Sequence, residues 1–274
     1  MGCVCPVTLG SNSWQPINGN QLAVLLAEYV LRKRKQAGTL TADHFLVKTL
    51  VTTDILLRVA EHYGIKSYGE CLTGFKWIGG LVDEHGPDKF VFGAEEAHGY
   101  LVGTHARDKD GAVAAMLLAE FAAEAKTEGR TLHDELNLLY QQHGLHMEKT
   151  TALKMPGANG MAKMQSIMQR LRDSPPQSIG GMKITSQADY LNGTTRFAIG
   201  EETTLSGPTG NLLIMRTELP GNYLAVRPSG TEPKIKFYCF TSLPPDESTD
   251  LDSARNVLAQ RLDAMTADVL GIQD

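Results

Sequence analysis

The sequence predicts an α/β fold in two parts: a mixed-sheet α/β/α layered domain, then a small α+β domain with an antiparallel sheet and flanking helices. Three observations point there. The chain has 274 residues, of which 42% are hydrophobic and 21% charged, enough apolar material for two cores. Strand-like and helix-like segments alternate through the first half. After Gly144 the pattern changes to short strands separated by turn residues, with a helix at either end of the run. The expected division is residues 1–143 and 144–274.

Taken in order, residues 2–8 (GCVCPVT) read as a short strand. Asn20 is placed to cap a helix whose apolar residues Leu22, Leu25, Leu26, Tyr29 and Val30 keep a helical period, and Gly38 ends it. HFLVKTLV is a buried-type strand. Thr53 and Asp54 open a helix through ILLRVAEHY that Gly64 stops. KFVFG, residues 89–93, is another strand. Asp110 and Gly111 precede the strong helix AVAAMLLAEFAAEA, and Thr131 with Asp134 has the spacing of a capping box for the next. HMEKTTALKM then reads as a strand. A Met-rich helix over about 159–172 follows, with Met161, Met164 and Met168 expected in its core. MKITSQADY, NLLIMRTE, YLAV and KIKFYCF are short strands, two of them joined by the Pro220-Gly221 turn, and an amphipathic helix covers about 249–269.

The net charge of −5 argues against nucleic acid as a partner. The one basic run, RKRK at 32–35, sits where a helix C-terminus favours cations. Cys3, Cys5, Cys71 and Cys239 lack zinc-like spacing and read as reduced thiols, which favours a cytoplasmic setting. No apolar run reaches membrane-spanning length, so no membrane partner is expected, and no signal peptide is evident. MGCVCP begins like a myristoylation signal, but Pro6 stands where Ser or Thr is needed.

Four stretches have the chemistry of a site. RPSGTEPKIK, 227–236, interrupts two apolar strands. Arg227 offers a planar fork of donors suited to phosphate oxygens, Ser229 and Thr231 add hydroxyls, and Gly230 lets the backbone come close. Its prolines restrict the loop, and Lys234 and Lys236 alternate with Ile235 and Phe237, so both lysines face one side. FGAEEAHGY, 92–100, puts Glu95 at the end of an apolar strand, where a carboxylate can accept sugar hydroxyls or act as a base, with His98 beside it. LTGFKWIGG, 72–80, reads as a loop offering Thr73, Gly74 and Lys76. In RDKDG, 107–111, Asp108 or Asp110 is the N-cap, which leaves Lys109 as the functional candidate.

In this order TGFKWIG, GAEEAHG, KDG and RPSGTEPKIK resemble the C-terminal half of an α-D-phosphohexomutase, of the phosphoglucomutase/phosphomannomutase group. NGNQLAVLL, 18–26, is similar to the opening of that family's third domain. The resemblance implies the third and fourth of four domains around one cleft. Glu95 would then hold the sugar O3 and O4 hydroxyls, with Thr73, Gly74, Lys76 and His98 beside it. Arg227, Ser229, Gly230 and Thr231 would grip the distal phosphate, and Lys109 would assist proton transfer. Ala97 stands where the family often has Ser, and Phe75 where bacterial phosphomannomutases tend to carry His, which leaves glucose, mannose and pentose phosphates open.

The family's phosphoserine loop and its Asp-rich Mg2+ loop have no counterpart in this sequence. No metal site is expected here, and Mg2+ and the phosphoserine are expected of the full-length enzyme. The implied partners are a hexose phosphate (glucose or mannose 1- or 6-phosphate) and the missing N-terminal half, with the chain alone inactive. The alternative is a stand-alone, non-catalytic sugar-phosphate-binding module.

Overall fold

A computed structural model describes residues 2–230 and 232–272. It divides into two compact units, Met1–Gly144 and Leu145–Asp274.

The first unit opens with a two-stranded antiparallel ribbon of β1 (Cys3–Pro6) and β2 (Trp14–Ile17). The expected strand over 2–8 is thus shorter, and its partner, which shows no alternation of apolar and polar residues, was not expected. α1 (Gly19–Gln36) follows. Its cap is Asn18 rather than Asn20: Asn18 accepts from the Gln21 N–H and the Gln21 side chain bonds back to the Asn18 N–H. That capping box needs an amide or acid three residues on, which only Asn18 has. Asn20 instead accepts from the backbone N–H of Thr53, tying α1 to a neighbouring loop.

β3 (Phe45–Lys48), α2 (Ile55–Tyr63), β4 (Lys66–Tyr68), α3 (Phe75–His85), β5 (Phe90–Glu95), β6 (Gly99–Val102), α4 (Gly111–Thr127) and α5 (Leu132–His143) complete the unit. The sheet order is β4-β3-β5-β6, with β3 parallel to β4 and β5 and only β6 antiparallel. α3 packs Phe75, Ile78 and Val82 on Phe45, Val47 and Phe90. The intervening Leu46 points to the opposite face of the pleat and is fully buried. α2 stops at Gly64, whose φ of 68° is the left-handed cap. Thr131 and Asp134 form the expected capping box. LTGFKWIGG is a correction: it is not a loop throughout, because α3 begins at Phe75 with Gly74 as its cap.

The second unit is an eight-stranded antiparallel sheet. Its strands are β7 (Leu145–Lys154), β8 (Ser178–Ile179), β9 (Met182–Asp189), β10 (Thr194–Phe197), β11 (Glu202–Thr204), β12 (Leu213–Thr217), β13 (Tyr223–Pro228) and β14 (Lys234–Leu243). The order is β11-β10-β9-β12-β13-β14-β7, with β8 also on β9. β8, β10 and β11 escaped the sequence reading because they are short and mostly polar. α6 (Gly160–Asp173) and α7 (Leu251–Gly271) cover one face, where Met164, Met168, Leu262 and Met265 meet Leu213, Leu224, Ile235 and Phe237. Met161 is a correction: it is exposed, because the buried face of α6 runs through Gly160, Met164, Ile167, Met168 and Leu171, and Met161 lies off that face.

Candidate functional site

Glu95 ends β5, beside the parallel β3, and so lies at the carboxyl end of the parallel strands, where α/β sheets bind ligands. Its Oε1 accepts the backbone N–H of Gly74, the cap of α3. Gly99, directly opposite Glu95 in the β5–β6 pair, is where three segments meet. A Cβ on Gly99 would lie 3.2 Å from Glu95 Oε2, 3.3 Å from Lys109 Cδ and 2.9 Å from Phe75 Cε2. Lys109 also sets its ammonium 5.6 Å from the centre of the Phe75 ring and 3.0 Å from Asp108 Oδ1. Asp110 is the N-cap of α4, accepting from Ala112 and Val113, which leaves Lys109 outside the capping hydrogen bonds.

The carboxylate is held from behind as well. The turn Glu96–Ala97–His98 joins β5 to β6, and His98 sits at φ 58°, rare for a residue with a Cβ. Burial pushes the His98 imidazole below its ordinary pKa and favours the neutral ring. Gly19, in the first turn of α1, lies against this turn: a Cβ there would be 1.9 Å from the Glu96 carbonyl oxygen. Tyr100 donates its hydroxyl to the Gly19 carbonyl at 2.8 Å. Thr73 and Gly74 follow Cys71, whose carbonyl takes the Leu50 N–H at 2.7 Å. The thiol of Cys71 is pushed up to about 12, first by burial and then by the charge of Glu95. Lys48 is a buried cation the sequence did not flag. It bonds Asp54 at 2.8 Å and the carbonyls of Thr49 and Thr52, holding the β3–α2 loop in shape. Lys76, in the first turn of α3, sets its ammonium 5.1 Å from the Trp77 ring centre.

The second group is in the other unit. β13 and β14 form a hairpin whose register sets Arg227 opposite Lys236, and β14 against β7 sets Lys234 opposite Lys154. Opposed residues share a face, and residues two apart on a strand share it too, so these four cations lie on one side of the sheet. Ile235 and Phe237 turn the other way into the core, as expected. Like charges directly opposite each other destabilise a sheet. Glu232 pairs with Lys234 at 3.1 Å; among the described residues no carboxylate pairs with Arg227 or Lys236. In the loop, the Ser229 N–H bonds the Lys234 carbonyl and its hydroxyl oxygen accepts from the Glu232 N–H at 3.3 Å. Gly230 is exposed, with open space on its Cβ side. Thr231 lies outside the described residues. The loop abuts the start of α6: Pro233 accepts from the Met155 N–H, and a Cβ on Gly160 would meet Pro233 Cβ at 3.0 Å.

Residues 18–143 match the phosphoglucomutase/phosphomannomutase α/β/α domain III. A phosphoglucomutase of Staphylococcus aureus (strain N315) is 33% identical over 251 residues, covering 90% of this chain and 42% of that protein. Another, of strain MSSA476, is 34% identical over 226 residues, covering 81% of this chain and 39% of that protein. Among solved structures, the open form of the exocytosis-sensitive phosphoprotein pp63/parafusin, a phosphoglucomutase from Paramecium, superposes with a TM-score of 0.58 at 20% identity. It covers 94% of this chain and 42% of that one, a likeness of fold. Fold and matches together define residues 18–143 as a phosphoglucomutase/phosphomannomutase α/β/α domain III. Over the rest of its length the chain is similar to the C-terminal half of the S. aureus phosphoglucomutases and spans about two fifths of their length.

Proposed function

We propose that this chain is the sugar- and phosphate-holding half of an enzyme that interconverts hexose 1-phosphate and hexose 6-phosphate. The observation that carries the reading is the convergence over Gly99 of Glu95, Lys109 and the Gly74-capped start of α3. A carboxylate held by a backbone N–H, with a lysine stem converging on the same point, can accept two sugar hydroxyls. Thr73 and a neutral His98 add hydrogen-bonding groups at the same strand ends, and Lys76 supplies a cation further along α3. In the other unit Arg227, Ser229, Gly230 and Thr231 are assigned to the substrate's existing phosphate. An anion there would relieve the repulsion between Arg227 and Lys236.

Phosphoryl transfer depends on positioning and charge stabilisation, and these two groups supply positioning. A grip made by charge accepts a sugar in either orientation, which exchange between the 1- and 6-positions requires. Mg2+ and a phosphoserine belong to the full-length enzyme. Among the described residues no three His, Cys, Asp or Glu side chains converge to hold a metal. No helix among the described residues is long and apolar enough to cross a membrane, and a cytoplasmic setting is part of this reading.

The test is titration of the chain with glucose 1-phosphate, glucose 6-phosphate and mannose 1-phosphate, followed by phosphorus NMR. Weak saturable binding is expected, reduced about tenfold or more in Arg227→Ala, the loss of a charge-assisted contact. No Mg2+-dependent interconversion is expected of the chain alone. Absence of binding by the folded chain at millimolar concentration overturns the reading.

A further inference from the structure

In the second unit β9 breaks its register with β12. Arg216 pairs with Ser186 but Thr217 pairs with Ile184, so Thr185 is an extra residue, a β-bulge. Bulges bend a strand and gather beside functional sites. Along its other edge β9 is paired by two short strands that do not meet. β8 sets Ser178 opposite Lys183, and β10 sets Phe197 opposite Ser186. Two backbone bonds bridge the gap, from the Ile184 N–H to the Gln177 carbonyl and from the Ala198 N–H to the Thr185 carbonyl, both 2.8 Å. Over this gap lies a cavity of about 670 Å³, the size of a small-molecule site. It is remote from the RPSGTEPKIK loop along the strands: Thr217 bonds Asn222, just before β13, whereas Arg227 stands near the far end of that strand.

The lining selects the ligand. Pro175, Pro176, Ile184 and Phe197 give apolar walls, and Phe197 is 38% exposed. The charges balance, Lys183 and Arg196 against Asp173 and Glu218. Several are already engaged: Arg196 bonds Glu202 at 2.7 Å and the Arg172 carbonyl at 3.2 Å, Glu218 accepts the Lys183 N–H at 3.1 Å, and Asp173 accepts from Gln169 at 3.0 Å. Ser178, Ser186 and Gln177 add neutral donors and acceptors. An apolar ligand would take water from these polar groups without replacing their hydrogen bonds. A ligand with one sign of charge would meet a like charge as well as an opposite one. A neutral molecule dense in hydroxyls, with apolar C–H faces, satisfies both the polar groups and the walls. We propose that this cavity binds a neutral oligosaccharide, one sugar face on Phe197 and its hydroxyls on Lys183, Glu218, Ser178 and Ser186. It shares no residue with the groups assigned to phosphosugars.

The probes are maltotriose and cellotriose, titrated into the chain by calorimetry. Saturable binding of at least one is expected, with a Kd of ~1 mM or tighter. Phe197→Ala and Lys183→Met should each weaken it about fivefold or more. Both side chains are exposed, so the urea midpoint of either variant should match that of the parent chain. Glu95→Ala should bind the oligosaccharide as the parent does. Four results overturn the proposal: no binding of either trisaccharide up to ~20 mM; unchanged affinity in both cavity variants; loss of binding in Glu95→Ala, which would place the sugar in the first unit; or binding of citrate in place of the trisaccharides, abolished by Lys183→Met, which would make the cavity an anion site. Phosphosugar titration reads the other groups separately, so the failure of either proposal leaves the other standing.

Discussion

Gly19 is a residue whose lack of a side chain does work at a distance. It touches the turn that follows Glu95, and a methyl there would fall 1.9 Å from the Glu96 carbonyl oxygen. Backbone cannot yield as a flexible side chain does, so either α1 or the turn must move. Gly19→Ala is expected to cost ~2 kcal/mol of stability in urea titration and to weaken phosphosugar binding through displacement of Glu95. A stable Gly19→Ala chain with unchanged binding would refute the packing argument. Glu95 separates two roles in the same way. Glu95→Gln keeps an acceptor for the Gly74 N–H but loses the charge. Glu95→Ala loses both, and its orphaned N–H costs about 1–3 kcal/mol. Both should bind phosphosugar about tenfold more weakly, but only Glu95→Ala should lower the urea midpoint appreciably.

At the scale of elements, the start of α1 shows how local rules resolve an ambiguity. Two asparagines stand at 18 and 20, and either could cap a helix. The Gln21 side chain decides for Asn18, because a capping box needs its second member three residues on. Asn18→Ala should therefore cost ~1 kcal/mol. Asn20→Ala should act on a different segment, leaving the Thr53 N–H without its side-chain acceptor. Hydrogen exchange tells them apart: the first raises exchange in the first turn of α1, the second at Thr53 and the opening of α2. The helices marked by a glycine stop (α2) or a side-chain N-cap (α4 and α5) were legible in the sequence. α3 was not, because its Trp77, Gly79 and Gly80 have low helix propensity and its register is set by packing on Phe45 and Phe90. The hairpin of β10 and β11 was hidden for the opposite reason: polar on both faces, it has no period to detect.

Over the whole molecule, burial sets how stability responds to alkali. Cys71 and Cys239 are pushed up to about 12 by burial in different units. The tyrosines Tyr63 and Tyr100 are pushed up as well, chiefly by burial. Each of these groups binds its proton more tightly folded than unfolded. Their contribution is complete below the unfolded thiol value of about 9 and is lost as pH rises toward 12. The urea midpoint should be flat from pH 7 to about 9 and fall above it, and thiol reagents should reach Cys71 and Cys239 only on unfolding. A midpoint that rises above pH 9 would contradict this assignment.

The sequence by itself determined most of the helices and the longer apolar strands, the change of pattern near Gly144 and the stretches with site chemistry. Periodicity, caps and loop composition are written locally, and local rules suffice to read them. Only the tertiary structure decided that Glu95 takes its bond from Gly74, that Lys109 and Phe75 close over Gly99, that Arg227 stands opposite Lys236, and that Gly19 must be bare. Those facts depend on register and on contacts between segments far apart in the chain. The residues involved look ordinary until packing brings them within a few ångströms of one another.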